Sequence, residues 1–359
     1  MPSKLLFINS SLTGGGSERA MGHVASALAA RGHDVTMCLV REKPQTYAVD
    51  SRVKVIQHRQ NSATKVGKAV RRLRQLRREI HEGDFDYVIS YMWDLNVTAL
   101  IAAWRLNARV VVSERAYVHA ATRSRLSRYL ERLTYRSAHR VVFQTSQAQA
   151  LSAGRWGDSS CVIPNIVEAA DRPPLAFGQR ESRIVSAGRL VPQKNFALLI
   201  RAFARVHTAR PDWTLEIYGS GPQKTHLERL VSELGVTPAV ELPGFVDDLS
   251  SKVARAGMFV LSSDFEGMPN VLAEAMALGL PVVSTDCPVG GPAALIEHNV
   301  NGLLVPVGDE LALADAMLAM ADADESVASM AQRAVDVTVR YSPDTVAKLW
   351  ERTVLTHGQ

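Results

Sequence analysis

Short apolar runs alternate with segments of helical periodicity from one end of the chain to the other. The first run, residues 4–9, leads into a glycine-rich loop. Met21, Val24 and Leu28 then recur at helical spacing, and the next run follows at residues 35–40. Runs of five or six apolar residues suit strands that are buried on both faces, and strand–helix–strand units build parallel sheets. The pattern therefore predicts an α/β fold.

A stretch without periodicity separates two similar halves of the chain. Residues 167–181 contain a Pro-Pro pair and several small residues, which is typical of an interdomain linker. We therefore predict two Rossmann-like domains, at residues 1–166 and 182–340, followed by a final helical segment at residues 341–359. Within these bounds, strands are predicted at residues 86–90, 110–113, 141–146, 162–165, 184–187 and 259–261, and helices at residues 65–82, 122–137 and 310–323.

The composition suits a soluble globular protein with two cores of ordinary size. Hydrophobic residues make up 47% of the 359 positions, and charged residues make up 21%. No apolar run reaches the ~20 residues that a membrane-spanning helix needs, and the first run is too short for a signal peptide. The cysteines, Cys38, Cys161 and Cys287, are scattered without metal-binding spacing, which favours buried thiols in a reducing compartment. We expect a cytoplasmic protein without a bound metal.

Positive charge is concentrated in the first half. Residues 1–180 carry 27 Lys and Arg against 14 Asp and Glu, whereas residues 181–359 carry 14 against 22. Much of the excess lies in residues 65–82, where the spacing of apolar residues predicts an amphipathic helix. Such a basic face is either solvated or attracted to anionic lipid headgroups, at about 1 kcal/mol for each basic residue. The candidates for membrane contact are Lys68, Arg71, Arg72, Arg77 and Arg78.

Nucleic acid is a second anionic partner to consider. The predicted helix at residues 122–137 is also rich in arginine. However, the sequence lacks the aromatic stacking platforms and the zinc fingers that nucleic-acid-binding modules use. We therefore expect no nucleic-acid partner, and we place the protein on the inner face of the plasma membrane as a peripheral protein.

The most informative stretch follows an apolar run in the second half. Gly267 permits an unusual backbone angle, Pro269 suits the first position of a helix, and Gly279 suits the residue after its end. This loop is expected to present backbone N–H groups and a helix N-terminus to an anion such as a phosphate. Glu266 precedes the helix and Glu274 lies in its second turn, so the two carboxylates face different parts of one ligand.

The glycine-rich loop of the first half, residues 14–16, lies at the nucleotide-binding end of a predicted parallel sheet. Ser17 is expected to cap the helix that follows. The dinucleotide-binding fingerprint of dehydrogenases fits poorly, because Arg19 stands where the third glycine is needed. A flexible turn is the plain alternative.

A loop near the start of the second half carries two cations, Arg189 and Lys194, in the order Gly-Arg-Leu…Lys-Asn. Together with the spacing of Glu266 and Glu274, which are separated by seven intervening residues, it resembles the signature of retaining glycosyltransferases of the GT-B fold, family four. The resemblance covers nearly the whole chain. It is most similar to bacterial hexose and N-acetylhexosamine transferases of surface polysaccharide and lipid-linked oligosaccharide assembly.

The resemblance implies a fold and a reaction. The two Rossmann-like domains would face each other across a cleft, with the acceptor bound by the first and the helix of residues 341–359 crossing back to it. The reaction would move a hexose or N-acetylhexosamine from a nucleotide diphosphate sugar, with UDP favoured, to a hydroxyl of a glycan or a lipid-linked acceptor. It would retain the anomeric configuration and use neither a metal nor another cofactor.

The resemblance also implies roles for single residues. Arg189 and Lys194 would hold the donor diphosphate, because fixed cations stabilise a charged leaving group. Glu266 would contact the sugar hydroxyls, with a role as nucleophile left open, and Glu274 would accept hydrogen bonds from the ribose. The other predicted substrate contacts are Gly15, Gly16, Arg115, Phe245, Gly267, Met268, Pro269, Asn270 and Val271.

Arg115 departs from the family pattern, since many relatives carry a histidine at this position. An arginine stays protonated at neutral pH and does not act as a base, but it pairs well with phosphate. Two other classes of protein stay open at this point. One is an epimerase or phosphorylase on the same fold, and the other is a non-catalytic protein that binds anionic membranes.

Overall fold

A computed structural model describes residues 2–13, 15–41, 43, 47–58, 64–115, 125–152, 156–175, 177–322 and 325–356. The chain divides into two compact units. The first comprises Met1–Ile166 and Pro343–Gln359, and the second comprises Val167–Ser342. The segment predicted as a linker thus falls into the second unit, where its described part is mostly irregular until a strand begins at Glu181.

The N-terminal part of the first unit alternates strands and helices. Its elements are β1 (Lys4–Asn9), α1 (Gly16–Ala30), β2 (Asp34–Leu39), β3 (Lys54–Gln57), α2 (Lys65–Gly83), β4 (Tyr87–Tyr91), α3 (Trp93–Ala102), β5 (Arg109–Glu114), α4 (Arg125–Thr134), β6 (Arg140–Phe143), α5 (Ser146–Leu151) and β7 (Ser160–Val162).

Among the described residues these strands form one parallel sheet in the order β3-β2-β1-β4-β5-β6-β7. In β1 the four residues from Leu5 to Ile8 are all fully buried. This explains the unbroken apolar run, because helices cover both faces of a parallel sheet.

The second unit repeats the plan. Its elements are β8 (Glu181–Ala187), α6 (Phe196–Ala209), β9 (Thr214–Tyr218), α7 (Lys224–Glu233), β10 (Val240–Gly244), α8 (Leu249–Val253), β11 (Ala256–Leu261), α9 (Asn270–Ala277), β12 (Val282–Thr285), α10 (Gly291–Leu295), β13 (Leu303–Val305), α11 (Glu310–Ala321), α12 (Glu325–Ala334) and α13 (Val337–Arg340). Its described strands are parallel in the order β10-β9-β8-β11-β12-β13, so β8 and β11 are neighbours at the centre.

The last helix, α14 (Pro343–Thr353), belongs to the first unit and packs against α1. Its apolar face is centred on Trp350, which is fully buried. Arg31, just after α1, donates hydrogen bonds to Glu351 at 2.8 Å and to Asp344 at 2.6 Å. The apolar face and these ion pairs together hold the C-terminal segment on the first unit.

Several predicted boundaries were wrong. Gly15, not Ser17, is the N-cap of α1, and the Glu18 carboxylate in the first turn accepts the backbone N–H of this N-cap residue. Pro269 precedes α9 in an extended conformation instead of occupying its first turn. The strand predicted at residues 162–165 is β7, which ends at Val162.

The first three residues of the helix predicted at 122–137 lie outside the described residues, and α4 begins at Arg125. None of the described helices combines the length and the apolar character that crossing a membrane would require.

Candidate functional site

Two loops meet at the carboxyl ends of the neighbouring strands β8 and β11. The loop after β8 carries Lys194, and the loop after β11 carries Glu266. Lys194 Nζ donates to Glu266 Oε1 at 2.5 Å, and both side chains are close to nine-tenths buried. The structure therefore brings two of the three predicted catalytic residues into direct contact, within one unit.

Three hydrogen bonds fix these two loops to each other. Asp264 N donates to Gln193 O at 2.9 Å, and Gln193 Nε2 donates to Phe265 O at 2.8 Å. Asn195 Nδ2 donates to Asp264 Oδ1 at 2.7 Å, while its own Oδ1 caps α6. The relative position of Lys194 and Glu266 is thus set by neighbouring backbone and amide groups and needs no ligand.

Glycines allow the close packing behind the site. A Cβ on Gly219 would lie 1.8 Å from Gly188 O, and a Cβ on Gly291 would lie 1.4 Å from Gly267 O. Both contacts exclude any side chain. Beside the Glu266 loop, it is therefore Gly291 that must be a glycine. Gly267, which was predicted to adopt an unusual backbone angle, is not among the residues of the described chain with a positive φ. Sequence reasoning missed Gly219 and Gly291; the only signal was a glycine directly after each predicted strand or turn.

The surroundings of Glu266 hold one of its oxygens in place, and they keep a nearby thiol neutral. Its Oε1 also accepts the Ser263 hydroxyl at 2.8 Å, and the residue is 8% exposed. Burial raises the pKa of Cys287 to about 12, and the negative charge of Glu266 adds to the effect. Cys287 is therefore protonated at neutral pH and is no candidate nucleophile.

Arg189 and Phe245 differ from this buried pair, because both are exposed. The side chain of Arg189 makes no hydrogen bond or ion pair with any residue in the described part of the chain, so its guanidinium is available to an anion. Phe245 follows β10 and exposes 59% of its surface. Both positions fit contacts with a ligand at this edge of the sheet.

The start of α9 holds the remaining predicted contacts of the second unit. Met268 is 5% exposed and packs into the apolar core, so only its backbone can face a ligand. Asn270 and Val271 form the first turn and are half-buried, as is Glu274 in the second turn. Pro269 offers no side-chain acceptor, so within the described chain α9 begins without a side-chain cap. The positive end of a helix dipole thus lies beside Glu266.

In the first unit, Glu18 occupies the start of α1. Its carboxylate accepts hydrogen bonds from Ser10 Oγ at 2.5 Å, Ser11 Oγ at 2.7 Å, Thr13 N at 3.0 Å and Gly15 N at 3.4 Å. Burial acts to raise the pKa of Glu18, but these four donors outweigh it and the pKa is lowered. The predicted contact Gly15 therefore already gives its N–H to Glu18, a residue that sequence reasoning missed. Gly14 lies outside the described residues.

Arg115, the residue directly after β5, is buried, with 7% of its surface exposed. Its guanidinium stacks on the Tyr91 ring at 3.7 Å, and its Nη1 donates to Asn165 Oδ1 at 2.5 Å. The sequence predicted the position of Arg115 at a strand end. It gave no sign of the burial or of these two partners.

Comparisons with known proteins identify the family. Two family models match the chain, "Glycosyl transferase 4-like domain" over residues 15–165 and "Glycosyl transferases group 1" over residues 181–323. A lipopolysaccharide core biosynthesis glycosyltransferase of Rhizobium meliloti, LpsE, is 30% identical over 304 residues, which cover 82% of each chain. This chain belongs to the glycosyltransferase family.

Further relatives of this glycosyltransferase differ in length and in named activity. A Campylobacter jejuni N-acetylgalactosaminyltransferase, named for a diphospho-undecaprenol-linked acceptor, is 26% identical over 319 residues, 87% of each chain. An exopolysaccharide phosphotransferase of Streptomyces coelicolor is 36% identical over 209 residues. Those residues are 58% of this chain but only 22% of that protein, so the match spans about a fifth of its length.

Solved structures confirm the predicted GT-B fold. The Anabaena protein Alr3699/HepE in complex with UDP-glucose superposes with a TM-score of 0.80 at 21% identity, over 98% of this chain and 99% of that one. At this identity the likeness shows the fold alone. The predicted membership of GT-B family four and the predicted pair of Rossmann-like domains are thus confirmed.

The predicted basic face of this glycosyltransferase lies on α2. Lys68, Arg71, Arg77 and Arg78 are exposed, whereas Arg72 is half-buried. Arg77 also donates through Nη1 to two backbone carbonyl oxygens at the end of α3, at 3.0 and 2.8 Å. Arg77 therefore attaches α2 to α3 in addition to carrying a surface charge.

No group of three metal-ligating side chains occurs among the described residues.

A buried polar network at the ends of β4 and β5 was not predicted from the sequence. Ser90 Oγ donates to Asn96 Oδ1 at 2.8 Å, and Asn96 Nδ2 donates to Tyr135 Oη at 2.8 Å. Tyr135 in turn donates to Glu114, next to Arg115.

Proposed function

We propose that this glycosyltransferase moves a hexose or N-acetylhexosamine from a UDP-sugar to a hydroxyl of a glycan or lipid-linked acceptor, with retention of configuration. The observation that carries the proposal is the Lys194–Glu266 pair, fixed beside the exposed Arg189 at the carboxyl edge of the second sheet. The UDP-glucose bound by the Anabaena protein and the lipid-linked acceptor in the name of the Campylobacter relative support the two substrates.

In this proposal the cations act on the leaving group. Cleavage of the sugar–phosphate bond leaves a nucleoside diphosphate, whose negative charge grows in the transition state. Arg189 is unpaired among the described residues and offers a planar, two-pronged donor to phosphate oxygens. Lys194 adds a fixed ammonium group, held at a defined position by Glu266. Two placed cations can do this without a metal ion, so we propose metal-independent transfer.

Glu266 would orient the donor instead of attacking it. Its Oε1 already accepts hydrogen bonds from Lys194 and from Ser263. Hydrogen bonds that stabilise a carboxylate make it a weaker nucleophile. They also fix the orientation of the carboxylate and therefore the position of its second oxygen. That oxygen would accept a hydrogen bond from a hydroxyl of the donor sugar. The base for the acceptor hydroxyl would then be an oxygen of the leaving phosphate.

Product analysis tests this function. Purified full-length protein is incubated with UDP-glucose, UDP-galactose or UDP-N-acetylglucosamine and an undecaprenyl-diphosphate-linked sugar, with and without EDTA. We expect UDP release that depends on the acceptor, an α-linked product from the α-linked donor, and no loss with EDTA. A change of donor sugar without an acceptor would indicate an epimerase, and sugar 1-phosphate formed from a glycan and phosphate would indicate a phosphorylase. A β-linked product would contradict retention.

A second proposal concerns location, namely that the protein is cytoplasmic and docks on the inner face of the plasma membrane through α2. The support is an exposed basic face beside exposed apolar side chains. Val66 exposes 75% of its surface, Val70 43%, and Trp104, close to Arg77, 67%. Basic residues beside exposed aliphatic and indole side chains suit the headgroup region of an anionic bilayer.

Liposome binding tests the docking proposal. Arg77 should be left in place, since it also holds the end of α3. The variant Lys68→Glu/Arg71→Glu/Arg78→Glu is expected to lose sedimentation with phosphatidylglycerol vesicles, because each lost charge contributes about 1 kcal/mol. The matched control Lys224→Glu/Arg229→Glu/Lys252→Glu reverses three exposed charges of the second unit and should still sediment. Equal binding by both variants would contradict docking through α2.

A further inference from the structure

Arg115 is a buried cation without a counterion in the part of the chain that the structure describes. Across the described ranges, no Asp or Glu oxygen lies within 4.0 Å of the Arg115 guanidinium nitrogens, the distance that defines an ion pair. The partner of Nη1 is the neutral amide of Asn165. The following segment, residues 116–130, contains no Asp or Glu either. Burial lowers the pKa of Arg115, which reflects the cost of this environment to its charged form. Proteins rarely bury an unpaired charge, so the charge calls for a partner from outside the chain.

One edge of the guanidinium is fully unused. Arg115 Nε and Nη2 are buried and have no hydrogen-bond partner among the described residues. The opposite corner is anchored, since Nη1 donates to Asn165 Oδ1, which also accepts Gln144 Nε2 at 2.9 Å. The Nε–Nη2 edge is the one that binds carboxylate or phosphate oxygens in a two-pronged arrangement. The side chain is thus held in place with its oxyanion-binding edge unoccupied.

Tyr91 provides an independent observation at the same place. It is the last residue of β4, it is 1% exposed, and its hydroxyl also lacks a hydrogen-bond partner among the described residues. The guanidinium carbon of Arg115 lies 3.7 Å from the centre of its ring, so one oxyanion can reach both groups. Buried donors left unpaired are uncommon, and two in contact indicate a shared acceptor.

We propose that Arg115 and Tyr91 bind an oxyanion, either a carboxylate or a phosphate, that the acceptor substrate carries. The inference rests on the transferase function proposed above and adds that the acceptor is anionic near the reacting hydroxyl. The site lies at the carboxyl ends of β4 and β5, where ligands of parallel α/β sheets bind. The donor diphosphate has its own proposed cations in the second unit, which leaves this site to the other substrate.

The unoccupied donors also bear on how the site is filled. Because Nε and Nη2 are buried without the ligand, neighbouring side chains must shift when the oxyanion enters. Each hydrogen bond then gained replaces an unsatisfied buried group, which favours the shift. A neutral hydroxyl would gain less, because its hydrogen bonds are weaker and it leaves the charge of Arg115 unbalanced. Arg115 therefore acts as a specificity-determining residue that selects charged acceptors.

Binding without a donor tests the proposal on the full-length protein. The probes are glucuronate for a carboxylate, glucose 1-phosphate for a phosphate, and methyl glucoside as the neutral reference, each titrated by calorimetry. Arg115→Gln should weaken binding of the anions about tenfold or more, and Tyr91→Phe should weaken it severalfold. The control Arg136→Gln, which removes an exposed charge of the same unit, should bind as the wild type does.

The pattern across probes and variants decides the outcome. Tighter binding of glucuronate identifies a carboxylate-bearing acceptor, and tighter binding of glucose 1-phosphate identifies a phosphate-bearing one. Equal affinity for all three probes, or equal affinity of wild type and Arg115→Gln for the anions, would overturn the proposal. If Arg115→Gln fails to fold, Arg115→Lys keeps the charge without the two-pronged edge and should still lose most of the preference for anions.

UDP binding, measured on the same samples, separates this inference from the proposed function. Wild type and Arg115→Gln should bind UDP equally, because the donor cations lie in the second unit. If UDP binds and neither anion does, the oxyanion site is wrong and the donor assignment stands. If the anions bind in an Arg115-dependent way and UDP does not, the donor assignment is wrong and the oxyanion site stands.

Discussion

The buried cations at the strand ends of the two units have opposite surroundings, one with a carboxylate partner and one without. In the second unit, Lys194 meets Glu266 at 2.5 Å, inside loops that are fixed to each other by hydrogen bonds. In the first unit, Arg115 is also buried, but its guanidinium contacts a neutral amide and an aromatic ring and has no counterion among the described residues. The first arrangement is balanced before any ligand arrives. In our proposal, the second is balanced only when an anion binds.

This difference suggests a division of labour. A donor with an invariant diphosphate can be met by a site that is complete in advance, because preorganised charges need no rearrangement during the reaction. An acceptor site that is unbalanced when empty discriminates through the ligand that completes it. Removing a charge should therefore destabilise the second unit and leave the first unit stable or more stable.

The largest effect is expected from Glu266→Gln. The change leaves Lys194 as a buried ammonium without its counterion, which should cost about 3 kcal/mol of unfolding free energy. Transfer activity should fall about 10²- to 10³-fold, because the cation and the donor sugar both lose their fixed partner. Chemical denaturation and kcat/KM check the two parts. The double variant Lys194→Met/Glu266→Leu should regain stability without regaining activity, and a stable, active Glu266→Gln would contradict the assigned pair.

The next effect concerns the packing behind the site. Gly291→Ala adds a methyl group whose carbon would lie 1.4 Å from Gly267 O if the backbone did not move. We expect a loss of about 1–3 kcal/mol in stability, as for other overpacked sites, and a displaced Glu266 loop with reduced turnover. Gly178→Ala is the control, since nothing lies within 4 Å of its added Cβ. Similar unfolding midpoints for both variants would show that the loop is not fixed by this contact.

The smallest effect tests the attachment of α14 to α1. The hydrogen bond from Arg31 is the largest cause that lowers the pKa of Glu351. A lowered pKa means that the contribution to stability is complete above the ordinary glutamate range near pH 4.5 and is lost as the pH falls below it. Arg31→Ala should cost about 0.5 kcal/mol at pH 7 and less at pH 3. The control Arg352→Ala removes an exposed arginine of α14, the helix that carries Glu351, and should show no such pH dependence.

The fold was predictable because the same pattern, a short apolar run followed by a segment of helical periodicity, recurs along the chain. Central strands such as β1, β4 and β11 are short, mostly apolar runs, and their burial on both faces is what makes the runs continuous. The motif residues of the second unit were predictable for a related reason. Arg189 and Lys194 lie in the loop after β8 and Glu266 lies in the loop after β11, so the motif spacing and the strand ends that carry it could both be read from the sequence.

The rest depended on contacts between distant residues. Glu18 is a local exception, since its carboxylate accepts hydrogen bonds from four donors in residues 10–15, among them the N–H of the N-cap residue Gly15. The pairing of Lys194 with Glu266 joins positions 72 residues apart. Arg115 was placed correctly at a strand end, but its burial and its missing counterion follow from Tyr91, Asn165 and Gln144, which lie far from it in sequence.

The donor site of the second unit is the central claim, and ligand-induced stabilisation tests it most directly. UDP at about a hundred times its dissociation constant should stabilise the wild type by about 2.7 kcal/mol, a shift of several degrees in Tm. Arg189→Gln should keep the Tm of the unliganded protein and lose most of the shift, because Arg189 is exposed and unpaired among the described residues. The control Arg229→Gln, an exposed arginine on α7, should retain the full shift. An equal UDP shift in wild type, Arg189→Gln and Arg229→Gln would contradict the account.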